Sequence, residues 1–351
     1  MLPRTGELRD ALEQHALPGA AELGEVLEEI VGGPAATHLL DLRKLKQNVY
    51  RLRAEARGQV RSLVLKCANP GLARRNLLVA RHWLPAMGLG DACARVLGSA
   101  ADRRGERMWL IYEDLGDSAL HATQSDRARV SVAVDLISQL HLRSAPHPIL
   151  PECRSSSRDL GAGYFAANVG DAIHSLELLC PPRIALSPEP LAVRDRLLAR
   201  LHGLRDERPR RAQTISELGG RDVLLHGDLW TTNVCVIPGE DGLRARLVDW
   251  DQVGVGPASY DLSTFLYRFP PGERSWILDR YRRAVAPAGW RLPDPPELNL
   301  LFETAEYARY ANRVIWPAVA LLEEGVQGAA WGLWELEEVE RWFEAYQPCL
   351  R

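Results

Sequence analysis

Between positions 37 and 114 the apolar residues recur with a period of about two, and beyond position 125 or so they recur at helical spacing. That change confines the chain to a sheet built early and a helical body built late. The runs 37–46, 48–56 and 59–67 read as antiparallel strands joined by short turns, and Ala68-Asn69-Pro70-Gly71 breaks the series. A helix over about 72–84 follows, then strands over 95–103 and 107–114 with a polar turn at 102–105, which makes a five-stranded sheet with one helix. Ahead of the sheet, residues 5–32 read as helical, with Leu8, Leu12, Leu23, Val26, Leu27 and Ile30 at the apolar positions. Behind it, 127–143, 158–180 and 190–206 are helical candidates, and loops are expected at 254–258, 286–296 and 325–329. Residues 223–251 interrupt the helical pattern with short apolar runs at 223–225, 234–237 and 243–248 that read as small strands. The fold class is therefore α+β. The order of elements predicts two lobes, 1–115 and 116–351, with a cleft between them.

Charge narrows the partners. The net charge of −3 hides an asymmetry: residues 37–81 carry eleven Lys/Arg against Asp41 and Glu55, whereas 294–346 carry eleven acids against Arg309, Arg313 and Arg341. One segment attracts a polyanion and the other a cation. The basic run has Tyr50 as its only aromatic residue, which speaks against nucleic acid. Lysine occurs only at 44, 46 and 66, against forty arginines. No run of eighteen apolar residues occurs, and the first residues carry acids where a secretory leader needs an apolar core, so no membrane association and a cytoplasmic location are expected. The six cysteines form no CxxC pair, which excludes a zinc ribbon or redox dithiol and leaves free thiols in a reducing compartment. Neither a P-loop nor a complete dinucleotide fingerprint, HExxH or GxSxG occurs.

The densest chemical signal is His226-Gly227-Asp228-Leu229-Trp230-Thr231-Thr232-Asn233, followed by Leu247-Val248-Asp249-Trp250-Asp251. Phosphoryl transfer needs one carboxylate facing the attacking hydroxyl, and a second carboxylate with an amide to hold magnesium against the phosphates. Asp228 suits the first role, and Asn233 and Asp249 suit the second. The spacing has the form H-x-D-x-x-x-x-N followed by a metal-binding Asp.

These segments resemble the catalytic loop and metal-binding segment of the aminoglycoside phosphotransferase and choline kinase families. The resemblance covers most of the chain and implies a protein-kinase-like two-lobed fold using ATP or GTP with Mg²⁺. It implies that Asp261, in Tyr260-Asp261-Leu262, buttresses the catalytic loop; His226 is expected to brace the loop rather than take part in the chemistry. Lys66, closing Ser62-Leu63-Val64-Leu65-Lys66, resembles the lysine that grips the α- and β-phosphates. Asn48-Val49-Tyr50-Arg51 resembles the start of the second strand after the phosphate-covering loop. Ile111-Tyr112-Glu113-Asp114-Leu115 resembles the hinge, where backbone from Glu113 to Leu115 would bond adenine. Gly227 stands where protein kinases carry the arginine that reads an activation-loop phosphate, and no A-P-E segment follows, so the acceptor is expected to be a small molecule. Two departures stand out. The covering loop, Leu42-Arg43-Lys44-Leu45-Lys46-Gln47, has no glycine, so Lys44, Lys46 or Gln47 would act through side chains. Residues 67–90 hold no acid to pair with Lys66, leaving Asn76, His82, Asp249 or the phosphates themselves.

The acceptor is expected under the C-terminal helices. Glu303, Glu306, Tyr310 and Arg313 share one helical face, followed by Glu323, Glu324, Trp331, Trp334 and Glu335. Acids with aromatics suit an amine-bearing acceptor such as an aminoglycoside or other antibiotic, and they equally suit a solvated face with an aromatic core. Trp230 either walls the acceptor pocket or packs in the core. The function expected is a small-molecule kinase, acting as a monomer or homodimer. A metabolic kinase for an amino alcohol or sugar, and a nucleotide-binding pseudokinase, stand as alternatives.

Overall fold

The computed structural model describes residues 7–32, 37–123 and 126–350. The chain divides into two compact units that are not contiguous in sequence. The first comprises 1–121, 126–136 and 232–251, and the second 122–125, 137–231 and 252–351.

The first unit is built on an antiparallel sheet of five strands: β1 (Thr37–Lys46), β2 (Val49–Ala56), β3 (Gln59–Ala68), β4 (Val96–Ala101) and β5 (Met108–Glu113), in the order β1-β2-β3-β5-β4. The expected five strands are all present. Alternation of apolar and polar residues fixes their register, since a one-residue slip would turn Leu52, Leu63 and Leu65 out of the core. The N-terminal stretch differs from the single helix expected. It forms α1 (Glu7–Gln14) and α2 (Ala20–Val31), broken at Gly19, whose φ of 64° is left-handed, just after Pro18; positions 5 and 6 lie outside the described residues. Leu12, Leu23 and Leu27 from these helices are fully buried with Leu52, Leu65 and Trp109 of the sheet. Helix α3 (Pro70–Leu78), capped by the Asn69 side chain, begins slightly earlier than expected and continues as a wider, π-helical turn at Val79–Trp83.

A hairpin, Val234–Gly239 with Gly242–Leu247, belongs to this unit although it lies far along the chain. Its edges are stitched by backbone bonds, Leu247 N–H to Ala92 O at 2.7 Å and Leu120 N–H to Val234 O at 2.8 Å. The two apolar runs expected there as small strands are its two strands.

The second unit is mainly helical. The helices Ala162–Glu177, Pro188–Asp206, Pro295–Gly328 and Ala330–Ala345 enclose a core that includes Phe165, Leu197, Leu201, Val314 and Leu336. The expected loop at 325–329 is a kink: Gly325, at φ 72° and ψ 173°, breaks the long helix. The helix expected over 158–180 begins only at Ala162. The preceding Arg158–Asp159 pairs with a strand, Gly254–Pro257, at the place where a loop was expected. Gly254-Val255-Gly256-Pro257 looks like a loop in isolation, but it is paired on both sides, parallel to Arg158–Asp159 and antiparallel to Asp222–Leu225. Glycine is needed there, because a Cβ at Gly254 would press on Leu160 and the Arg158 carbonyl. Among the described residues no helix is long and apolar enough to cross a membrane.

Candidate active site

Within the first unit, residues from the sheet, the segment that follows β5 and the late hairpin line a cavity of about 400 Å³. Val49, Val64, Tyr112 and Leu247 give it apolar walls, while Lys46, Lys66, Asn233 and Asp249 supply its polar end. Glu113 and Leu115 of the expected hinge line it as well. Glu113 is engaged elsewhere: its N–H donates to the Arg95 carbonyl at 3.0 Å and its carboxylate accepts from the Arg95 N–H at 2.8 Å. Lys44 and Asn48 are not in this lining. Asn48 sits in the β1–β2 turn at φ 60° rather than starting a strand, a conformation asparagine tolerates better than most residues.

The polar end is a web of ion pairs. Lys66 Nζ lies 2.6 Å from Asp249 Oδ1 and 2.5 Å from Asp251 Oδ1. Lys46 Nζ lies 2.6 Å from Asp249 Oδ2. Asn76 Nδ2 of α3 donates to Asp251 Oδ1 at 2.9 Å. Burial pushes the Asp249 carboxyl up, but Lys66 and Lys46 outweigh it and hold the group well below the usual carboxylate range. Asp249 is itself in a left-handed conformation, φ 68°, an arrangement kept only where the surroundings enforce it. Asn233 is tied to this segment through its carbonyl, which accepts from Val248 N–H at 3.0 Å. One carboxylate and one amide in a single cavity suit magnesium, which binds through one or two protein groups together with substrate phosphates. Among the described residues no cluster of three or more His, Cys, Asp or Glu offers a protein-only metal site.

Within the second unit, the segment bearing Asp228 is held from beneath by Asp261, which is fully buried. Asp261 Oδ2 accepts from His226 N–H at 2.7 Å and Oδ1 from Gly227 N–H at 2.9 Å. Burial would raise its carboxyl, but His141, with Nε2 at 3.6 Å, then His226 and the Gly227 N–H hold it below the usual value. His226 Nδ1 accepts from Asp228 N–H at 3.3 Å. Leu229 is fully buried, which pins the loop on the core while Asp228 stays partly exposed. Gly227 has φ 81°, and a Cβ there would overlap the Gln252 carbonyl. Gly227→Ala is therefore expected to destabilise the protein by at least about 2 kcal/mol, from left-handed strain plus the clash, read as a lowered urea midpoint.

The expected acceptor residues also fall in this unit, with their charges already answered. Glu306 is 1% exposed, accepts from Ser263 Oγ at 3.1 Å and pairs with Arg309. Glu303 pairs with Arg211 at 2.8 Å. Tyr310 stacks on Trp342 with ring centroids 3.4 Å apart. The Trp230 ring is covered by the Arg268 guanidinium at 4.1 Å, with its other part exposed. Glu323, Glu324, Trp331 and Trp334 remain exposed.

Two further residues belong here. Asp251 has a usable signal in the sequence, its spacing of two from Asp249. Nothing in the sequence around Arg309 marks it for this site. Burial disfavours its cation, yet Glu306, Tyr260 and Asp228 outweigh that and hold it above its usual value, which puts a firm positive charge in the electrostatic reach of Asp228.

Comparison with known proteins matches residues 41–301 to the phosphotransferase enzyme family. No curated protein matches the chain. Among solved structures, a spectinomycin phosphotransferase in complex with ADP and spectinomycin is similar at 14% identity and TM-score 0.56, covering 90% of each chain. An ethanolamine kinase of Plasmodium vivax is similar at 11% identity and TM-score 0.55, covering 94% of this chain and 86% of that one. A choline kinase of Cryptosporidium parvum Iowa II is similar at 10% identity and TM-score 0.56, covering 92% and 96%. At these identities the likeness concerns the fold, a kinase-like α+β architecture.

Proposed function

The chain belongs to the phosphotransferase enzyme family, and from that premise we propose that it carries the γ-phosphoryl group of ATP or GTP to a hydroxyl of an amine-bearing small molecule. The observation that carries this reading is the single cavity that gathers Lys66, Lys46, Asn233 and Asp249 beside the apolar hinge wall. Lys66 and Lys46 hold phosphate oxygens, and the apolar wall takes the base. Asn233 and Asp249 hold Mg²⁺, which when bound neutralises charge on the phosphates. Asp228 orients the acceptor hydroxyl and accepts its proton. His226 and Asp261 hold the Asp228 loop in shape.

An amine on the acceptor is favoured by the eleven acids against three bases over residues 294–346. Because Glu303 and Glu306 are paired internally, the exposed Glu323, Glu324, Trp331 and Trp334 are the better candidates for meeting it. The structural likeness extends to both a spectinomycin kinase and amino-alcohol kinases, so an antibiotic and a metabolite both remain in the proposal.

The test is magnesium-dependent turnover of ATP and GTP by the purified chain against aminoglycosides, other antibiotics, and amino alcohols and sugars. Turnover with one class, absent without magnesium, is expected and names the acceptor. Nucleotide binding with no turnover across the panel would favour the pseudokinase reading instead.

A further inference from the structure

The family resemblance leaves Lys66 without the acidic partner expected on the helix after β3, because residues 67–90 contain no Asp or Glu. We propose that Asp251, oriented by Asn76 of α3, is the residue that positions Lys66 for nucleotide phosphate. This rests on the nucleotide-site reading above and adds to it a carboxylate supplied from the metal-binding segment itself.

The geometry follows from the chain. Asp249 adopts a left-handed backbone, and a short 3₁₀ turn, Trp250–Gln252, follows at once. Trp250, 4% exposed, anchors that turn in the core. Carboxylates two residues apart thereby converge on one ammonium, at 2.6 and 2.5 Å. The two are not equivalent. Both Asp249 oxygens are taken by lysines, Oδ1 by Lys66 and Oδ2 by Lys46. A metal ion held by Asp249 would compete with these two lysine contacts. Asp251 still holds Lys66, and its Oδ1 is fixed from the other side by Asn76 Nδ2 at 2.9 Å.

Lys66, with 12% of its side chain exposed, needs such a partner. Left unpaired, a largely buried ammonium on a flexible stem would lose both its solvation and its aim. An amide on α3 thus does the linking that an acid on the helix does elsewhere, one step removed. Asp251 acts through Lys66, so it is a positioning residue.

The experiment measures ADP affinity of the full-length protein by titration, once with magnesium and once with EDTA. Asp251→Asn is expected to weaken ADP binding about tenfold in both conditions, the loss of one charge-assisted contact. Asn76→Ala is expected to weaken it by a smaller factor. Asn76→Glu in the Asp251→Asn background, which moves the carboxylate onto the helix, is expected to recover most of the affinity. Lys66→Met combined with Asp251→Asn should cost no more than Lys66→Met alone, because the two act as one unit. Wild-type ADP affinity of Asp251→Asn in EDTA, with only a raised magnesium requirement, would make Asp251 a metal contact and overturn the proposal. Strict additivity with Lys66→Met would overturn it too. A wild-type protein that binds no ADP, or Lys66→Met that binds ADP undiminished, would instead show that the nucleotide-site reading beneath the proposal is wrong. Asn76→Ala, on an amide rather than a charge, guards against a folding defect specific to position 251.

Discussion

Asp228→Asn is expected to lower kcat about 10²- to 10⁴-fold, the range for loss of a positioned general base, with ADP affinity unchanged and the folded state retained. The substitution keeps the size and one acceptor oxygen and removes the charge and the basicity. The loop backbone has supports of its own besides that carboxylate. The Asp228 amide donates to His226 Nδ1, its carbonyl accepts from Trp230 N–H at 2.8 Å, and Asp261 holds the two residues before it. The cavity proposed for the nucleotide is lined by residues of the first unit alone, so nucleotide affinity reports on the folding of that unit independently of the acceptor chemistry. Steady-state kinetics with the acceptor found in the panel, beside ADP titration and a thermal melt, check all three parts. Full turnover by the variant would remove Asp228 from the chemistry.

Asp261→Asn is expected to destabilise the protein by about 3 kcal/mol, at the low end of what breaking a buried charged network costs. The carboxylate accepts two backbone N–H groups, one on each oxygen. An amide offers one oxygen and turns an NH₂ against the other N–H, leaving a buried donor unsatisfied. Urea unfolding at neutral pH reads the loss. The same group predicts a pH dependence. Its folded pKa is depressed relative to the ordinary carboxylate, so the folded state binds its proton less readily than the unfolded state. Its contribution is therefore fully present above the ordinary carboxylate pKa and is lost as pH falls below that value toward the depressed one. The wild-type and Asp261→Asn unfolding free energies should converge on acidification. A gap that stays constant into the acid range would show that the charge of Asp261 contributes nothing.

Most of the sheet was legible. Residues such as Leu52, Leu63 and Leu65 alternate with polar neighbours, and alternation fixes a strand and its face together. The N-terminal break was less legible, because the apolar spacing runs on across it and only Pro18-Gly19 marks it. The strand Gly254–Pro257 was not legible at all. Its glycines and proline disfavour a strand locally, and pairing on both edges imposes the conformation. The face expected to meet the acceptor was half legible: helical spacing put Glu303, Glu306 and Tyr310 together, but it could not reveal Arg211, Arg309 and Trp342 lying against them.

The sequence by itself determined the period of each element and the local spacing of the chemical groups, among them Asp228, Asn233 and Asp249. These depend on rise and turn per residue, which short segments carry with them. Only the tertiary structure decided what meets those groups. Lys46 and Lys66 reach Asp249 from 203 and 183 residues away, and Asn76 reaches Asp251 across 175. No local period encodes a contact at that separation. It arises because the hairpin Val234–Gly239 and Gly242–Leu247 finds its backbone partners at Ala92 and Leu120, and in docking there it carries the carboxylates that follow it onto the lysines of the early strands.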